Sequence, residues 1–193
     1  IGINRAARMT CVKPAGTTSL VLGTSSGIHA WHSEYYIRRI RVGKMEAIYT
    51  YLLNNHPELI EDDITRPHDT AIISIPQMAP KGSIYRTETA IELLERIKHY
   101  SLHWVSAGHR EGMNTHNVSA TVSVRDNEWD NVANWMWVNT HYYNGLTVLP
   151  YDGGKSNQAP FEETDKETYD SMILSLKKLD LSKIKETFDD TDL

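Results

Sequence analysis

Residues 12–19 read Val12-Lys13-Pro14-Ala15-Gly16-Thr17-Thr18-Ser19, and Gly27-Ile28-His29 follows a few residues later. A short apolar strand over residues 9–12 runs into a Pro-Gly turn. Hydroxyl residues then open a short apolar helix, Ser19-Leu20-Val21-Leu22. The first turn of a helix carries backbone N–H groups with no partner inside the helix, and its dipole favours an anion. Gly16 admits a ligand close to the backbone, Thr17, Thr18 and Ser19 add hydroxyl donors, and Lys13 adds charge. Pro14, Ala15, Gly16, Thr17 and Thr18 therefore read as a phosphate cradle. The stretch is not a Walker loop, because no Gly-Lys-Ser/Thr closes it. Simple capping by Pro and hydroxyl residues is the competing reading.

The charge distribution favours the cradle. Residues 1–44 hold Arg5, Arg8, Lys13, Arg38, Arg39, Arg41 and Lys44 against one acid, Glu34, in a chain of net charge −5. Such a field draws polyanionic ligands. The alternative is a basic surface that pairs with acids elsewhere in the fold. From Phe161 onward there are ten acids and five bases. This divides the chain into a main domain, 1–160, and an acidic, mostly helical extension, 161–193.

At 193 residues, 40% apolar and 23% charged, the chain suits one domain with a real core. No segment approaches the roughly 18 apolar residues of a membrane span, and no signal peptide is visible. The single cysteine, Cys11, excludes an internal disulfide framework and fits a reducing, cytoplasmic setting. The abrupt start at Ile1-Gly2-Ile3-Asn4 reads as a piece of something larger, or a trimmed end.

Strand and helix patterns alternate along the chain. Residues 35–42 are rich in β-formers with basic residues interleaved, and 44–54 form a helix with Met45, Ile48 and Leu52 on one face. Residues 57–67 read as an acidic connector, 71–75 as a strand stopped by Pro76, and 76–82 as a loop. The clearest helix spans 87–106, with Ile91, Leu94, Ile97 and Leu102 on one side. A loop at 109–114 leads to a strand at 118–124. Asp126 caps a Trp-rich helix over 128–141, and a strand at 145–149 ends at Pro150. Residues 162–179 read as mostly helical. Strands separated by helix-length spacers predict a parallel β/α architecture.

Other candidate chemistry is thin. His99 and His103 share a helix face, but no His-Glu-x-x-His pattern or cysteine cluster accompanies them, so no metal site is assigned. Cys11 reads as a small buried hydrophobe on its strand. Trp129, Trp135 and Trp137 read as core and interface. The run Asn114-Thr115-His116-Asn117-Val118-Ser119 is unusually polar for the approach to a buried strand. It either lines a site or satisfies itself and the adjoining loop.

Several runs together carry a resemblance. Thr10-Cys11-Val12-Lys13-Pro14-Ala15-Gly16-Thr17-Thr18-Ser19, Ser25-Ser26-Gly27-Ile28-His29 and Tyr36-Ile37-Arg38-Arg39-Ile40-Arg41 resemble ribonucleotide reductase of the adenosylcobalamin-dependent class II type, in its ribonucleoside-triphosphate reductase branch. Asn114-Thr115-His116-Asn117-Val118-Ser119-Ala120-Thr121-Val122, Gly145-Leu146-Thr147-Val148-Leu149-Pro150-Tyr151-Asp152-Gly153 and Gln158-Ala159-Pro160-Phe161-Glu162-Glu163 match the same family in order.

The resemblance implies that this chain is the C-terminal portion of a ten-stranded α/β barrel. It implies that Pro14, Ala15, Gly16, Thr17 and Thr18 hold the phosphates of a ribonucleoside tri- or diphosphate, whose ribose is reduced by a radical mechanism. The family's thiyl-radical cysteine and reducing cysteines have no counterpart here, and Cys11 does not match them. The resemblance therefore implies no catalytic residue in this chain, and a partner, an N-terminal reductase chain, that carries those cysteines. It also implies adenosylcobalamin shared with that partner, with Pro150 and Tyr151 as its neighbours, and a thioredoxin-type reductant acting through a tail not present in these residues. Metal-radical relatives carry a tyrosine pair on the last strand, where Leu149-Pro150 stands here. No nucleic-acid or membrane partner is expected. A stand-alone nucleotide-binding module and a purely structural subunit remain alternatives.

Overall fold

The computed structural model describes residues 2–4, 6, 8–151, 153 and 157–184. In chain order the elements are α1 (Thr18–Leu22), β1 (Tyr35–Gly43), α2 (Ala47–Asn55), β2 (Ile60–Asp62), β3 (Thr70–Met78), α3 (Ala90–Tyr100), β4 (Ala120–Val124), α4 (Trp129–Val138), β5 (Leu146–Pro150), β6 (Phe161–Thr164) and α5 (Lys166–Ser175). They fall into two compact units, Ile1–Trp31 with Pro80–Gly153, and His32–Ala79 with Gly154–Leu193.

In the first unit β4 and β5 pair in parallel, Ala120 opposite Leu146 and Val124 opposite Pro150. Helices α3 and α4 cover them. The core gathers Leu94, Ile97, Val122, Val124, Val132 and Trp135, all buried. α3 begins where the sequence supplies a capping box: Glu92 N donates to Thr89 Oγ1 (3.2 Å), and Thr89 N donates to Glu92 Oε2 (2.6 Å). Its buried face is Ala90, Leu93, Leu94 and Ile97. Beyond Tyr100 the helix winds wider, as a π-helix over Ser101–Ser106. There Ser101 and Val105 are buried, while Leu102, expected on the buried side, is exposed. Asp126 was the expected cap of the Trp-rich helix. The observed N-cap, Glu128, makes no side-chain bond to α4 and turns the other way. Its buried carboxylate accepts from Ala90 N of α3 (3.1 Å) and from Arg125 N (2.9 Å).

In the second unit four strands form an antiparallel sheet in the order β2-β3-β1-β6. Val42, Ala71 and Ile73 pack with Tyr51 and Leu52 of α2 and with Leu59. Arg39 and Arg41 fall at the alternate positions of β1, on the opposite face, where Arg39 pairs with Glu61 and Glu162, and Arg41 with Asp63.

The fold class expected from the sequence is corrected here. This is a mixed α/β fold with two small sheets, neither closed into a barrel, and among the described strands β4 and β5 are the one pair hydrogen-bonded in parallel. Helix-length spacers permit a parallel crossover but do not demand one. The alternation of arginine with apolar residues along β1 is the signature of a sheet with one wet face, which is an antiparallel pattern. The supposed connector at 57–67 contains β2, and the supposed helical tail begins with β6, which borders β1. Residues 9–12 form no strand; Val12 alone makes a bridge, to Val118. β3 runs through Pro76 because β2 covers only Ala71–Ile73. The ring replaces an N–H on an edge that has no partner there.

Asp63 is the polar anchor of the second unit. Its buried carboxylate accepts from Thr65 Oγ1 (2.5 Å), Thr65 N (2.8 Å), Arg66 N (3.0 Å) and Arg41 Nε (2.7 Å). The Thr65 hydroxyl foremost, then the backbone N–H groups and Arg41, hold its carboxyl well below the usual carboxylate range against the opposing effect of burial. The unfolded chain therefore binds a proton at Asp63 more readily than the folded one. Stability from this group is complete above about pH 5 and drains away as pH falls below about 4, towards the depressed value. In thermal melts, Asp63→Asn should lower Tm at neutral pH and flatten its fall between about pH 4 and pH 2. An acid limb identical to that of the unmodified chain would contradict this.

Candidate functional site

The cradle is built at the edge of β4. Val12 N donates to Asn117 O (3.0 Å) and Ser119 N donates to Val12 O (2.8 Å), so the backbone enters the loop alongside the start of that strand. α1 follows and ends after five residues at Gly23, whose left-handed φ of 61° closes it. The loop is fastened from behind. Ala15 N donates to Ser26 Oγ (3.0 Å), while Ser26 Oγ (2.9 Å) and Ser19 Oγ (3.0 Å) both donate to Ala15 O. Gly27, at φ 62°, lies so close that a Cβ there would stand 2.9 Å from Lys13 O. In front the loop is open. Pro14, Gly16, Thr17 and Thr18 are exposed, Ala15 is half-buried, and a Cβ on Gly16 would meet nothing within 4 Å.

Thr17 occupies the N-cap without a side-chain capping bond, and Pro14 lies outside the helix. The first intrahelical bond runs from Val21 N to Thr17 O, so the N–H groups of Thr18, Ser19 and Leu20 precede it. Ser26 and Gly27, which hold the loop, escaped the sequence reading as anchors. The signal was a Ser-Gly pair following a helix too short to pack by itself.

The basic residues divide differently from the field that their sequence positions suggest. Arg39, Arg41 and Lys44 are neutralised inside the second unit, Lys44 by Asp62 at 2.6 Å. Arg38 lies over the Phe161 ring, 4.3 Å from its centroid, and donates to Pro160 O. For Arg39, Arg41 and Lys44, pairing with acids is the reading that the structure supports. Lys13, on the loop itself, is exposed.

The polar run before β4 ties the first unit together. Asn144 Nδ2 donates to Thr115 Oγ1 (3.0 Å), Gly145 N donates to Asn117 Oδ1 (3.3 Å), and His116 Nδ1 lies 2.7 Å from Thr10 O. These residues satisfy one another and their neighbours. Beside the π-helix, a polar cavity of about 60 Å³ touches Ser101, Thr115, His116, His141 and Asn144, space for about two waters. His99 and His103 are exposed, with ring centroids 4.4 Å apart. Among the described residues no group of three or more His, Cys, Asp or Glu is placed to hold a metal, and no helix is long and apolar enough to cross a membrane. Trp135 is core, donating from Nε1 to Glu95, whereas Trp137 is 82% exposed. Cys11 is exposed too, contrary to the buried strand thiol expected, and the described residues before Val12 belong to no strand.

No family model matches the chain. Among curated proteins it is 29% identical over 178 residues to the adenosylcobalamin-dependent ribonucleoside-triphosphate reductase of Euglena gracilis, covering 91% of this chain and 23% of that protein. It is 27% identical over 171 residues to the enzyme of that name from Lactobacillus leichmannii, covering 88% and 22%. The crystal structure of a B12-dependent class II ribonucleotide reductase superposes with a TM-score of 0.71 at 27% identity, over 90% of this chain and 23% of that one. The match is to class II ribonucleotide reductase, at the level of the family. The chain spans about a quarter of the length of these reductases.

Reductases so named depend on cobalamin, so Pro150 and Tyr151 bear examination. Both are exposed at the end of β5, with Leu149 beside them, and the Tyr151 ring lies 5.1 Å from the Arg125 guanidinium carbon. Pro150 stands level with Val124, six residues along from the Val118 that Val12 meets, or about 20 Å at a strand's rise. Pockets for drug-sized ligands run to roughly 300–1,000 Å³ and enclose their occupant. The 60 Å³ cavity is too small, and the groove of about 540 Å³ along Lys166, Asp170 and Leu174 belongs to α5 in the second unit. Pro150 and Tyr151 can offer a corrinoid an apolar wall, but the described residues do not enclose one.

The two glycines of the cradle should respond oppositely to a methyl group. Gly27→Ala should destabilise the fold by about 1–2 kcal/mol from its left-handed φ alone, and by more from the contact with Lys13 O. Gly16→Ala should stay within about 0.5 kcal/mol of the unmodified chain. Denaturant melts of both variants check this; equal losses would mean that Gly16 serves packing.

Proposed function

We propose that this chain supplies the substrate phosphate-binding loop of a class II ribonucleotide reductase, which converts ribonucleotides to 2'-deoxyribonucleotides by a radical mechanism. The observation that carries the reading is the exposed run Gly16-Thr17-Thr18, open in front and fastened behind by Ser26 and Gly27. The N–H groups that start α1 and the hydroxyls of Thr17 and Thr18 donate to phosphate oxygens, with Lys13 as counter-charge. Gly16 lets a phosphate reach the backbone. Pro14 and Ala15 shape the turn.

The thiyl and reducing cysteines of the reaction come from an N-terminal reductase segment or chain, since these 193 residues hold one cysteine. A dithiol there becomes a disulfide as the ribose 2'-hydroxyl leaves as water, and a thioredoxin-type reductant restores it. Adenosylcobalamin, when bound, supplies the radical that starts the reaction. Pro150 and Tyr151 are one wall of its site, completed by that partner.

Each hydroxyl bonded to phosphate contributes about 1.5–3 kcal/mol. Thr17→Val with Thr18→Val should therefore weaken binding of ribonucleoside triphosphates at least tenfold in calorimetric titrations, with Tm nearly unchanged. Equal affinity in the double variant would refute the assignment. Mixed with the cysteine-bearing partner and adenosylcobalamin, the chain should support deoxynucleotide formation, and alone it should support none.

A further inference from the structure

We infer that His29 is a positioning residue for the cradle: its neutral imidazole clamps the turn behind the phosphate loop to β4. The inference rests on the phosphate reading of that loop and adds a residue that does not touch phosphate.

Two bonds define the imidazole's state. Thr121 N donates to His29 Nε2 at 2.9 Å, and a backbone amide can only donate, so Nε2 carries a lone pair. His29 Nδ1 lies 2.8 Å from Ser26 O, and a carbonyl can only accept, so Nδ1 carries the proton. The neutral Nδ1–H tautomer alone satisfies both partners. An imidazolium would set one N–H against another at Thr121, and the other neutral tautomer would fail at both ends.

The clamp continues into the cradle without a break. The residue whose carbonyl His29 holds, Ser26, uses its hydroxyl to accept from Ala15 N and to donate to Ala15 O. Gly27, between them, packs its backbone on Lys13 O. A hydrogen-bonded path thus runs from β4 through His29 and Ser26 to the residue next to Gly16. Apolar packing does little of this work in α1, where Val21 is 84% and Leu22 68% exposed. The neighbouring Ile28 is buried in the core and fixes where the turn sits, and its carbonyl accepts from Arg96. His29 sets which way the turn presents Ser26. Pre-organised donors bind an anion more tightly than donors that must first be ordered.

The test compares His29→Leu with His29→Gln in the full chain. A glutamine amide carries one donor and one acceptor and can serve both partners; leucine can serve neither. By NMR-detected hydrogen exchange, His29→Leu should speed exchange at the Ala15 and Thr121 amides at least tenfold relative to Leu94 and Ile97 in α3. It should also weaken ATP binding at least fivefold, and His29→Gln should restore both to within about twofold, since a lost hydrogen bond of about 1 kcal/mol corresponds to a factor of about five. Long-range proton–nitrogen spectra of the unmodified chain should show the Nδ1–H tautomer. If His29→Leu does not fold, His29→Gln and the tautomer of the unmodified chain decide: a folded His29→Gln chain with Ala15 and Thr121 still protected and the Nδ1–H form supports the clamp, and the opposite tautomer overturns it. Unchanged Ala15 exchange in a folded His29→Leu chain, or the opposite tautomer, overturns the inference. ATP binding that persists undiminished in His29→Leu overturns the inference alone. Absence of ATP binding by the unmodified chain overturns the phosphate reading and the positioning role together, while the exchange data still report whether the clamp exists.

Discussion

Both edges of β4 have to be paired, and the first unit is organised around that requirement. A buried backbone N–H or C=O left without a partner costs about as much as a lost hydrogen bond. β5 satisfies one edge along its whole length. Among the described residues no strand pairs with the other. Val12 takes the positions around Val118, and the imidazole of His29 takes the N–H of Thr121. The loop between those two residues is therefore pinned at both ends to one strand. Its position follows from the edge it covers, and Gly16, Thr17 and Thr18 on its other face are exposed.

The parts of this arrangement that were legible in the sequence are those whose chemistry is local. Pro14, Gly16 and the hydroxyl run announce a turn into a helix, and the helix is there, at Thr18–Leu22. The apolar stripe marked a helix over 87–106, and α3 is there, starting at Ala90 where Thr89 and Glu92 form a capping box. Non-local pairing was harder to see. Nothing near residues 60–62 or 161–164 says that these short acidic stretches border β3 and β1, because their partners lie elsewhere in the chain. The direction of pairing was signalled only by the alternation of arginine with apolar residues along β1, since a helix of nine residues such as α2 can return the chain to either sense. Cys11 illustrates the same limit. No strand forms over residues 9–12, where Val12 makes a bridge to Val118, and Cys11 beside it is exposed.

The candidate site was legible to a similar depth. Its front, Gly16 to Thr18, could be picked out because a turn into a helix is local in sequence. Its back could not, because Ser26 and His29 acquire their roles only when the chain returns after α1. The basic residues of β1 show the converse error. Their clustering in sequence suggested a field aimed at a ligand, whereas Glu61, Asp63 and Glu162 receive two of them within the sheet.

Those ion pairs also protect the sheet from a fault that its hydrophobic pattern cannot detect. Alternation along β1 distinguishes inward from outward residues, so it rejects a shift of one position but is blind to a shift of two. A two-residue slide in one direction would move the strand about 6.8 Å and set Ile40 where Val42 packs, still an apolar side chain. It would also carry Arg39 and Arg41 past their carboxylates. Glu61 and Asp63 are spaced as the two arginines are, each 22 residues further along the chain, and both reach them across β3. Asp63, buried and already bonded to Thr65 and Arg66, cannot follow a sliding partner. The charges thus act as a vernier on the strand, reading its alignment to the residue where greasy side chains read it only to the nearest pair.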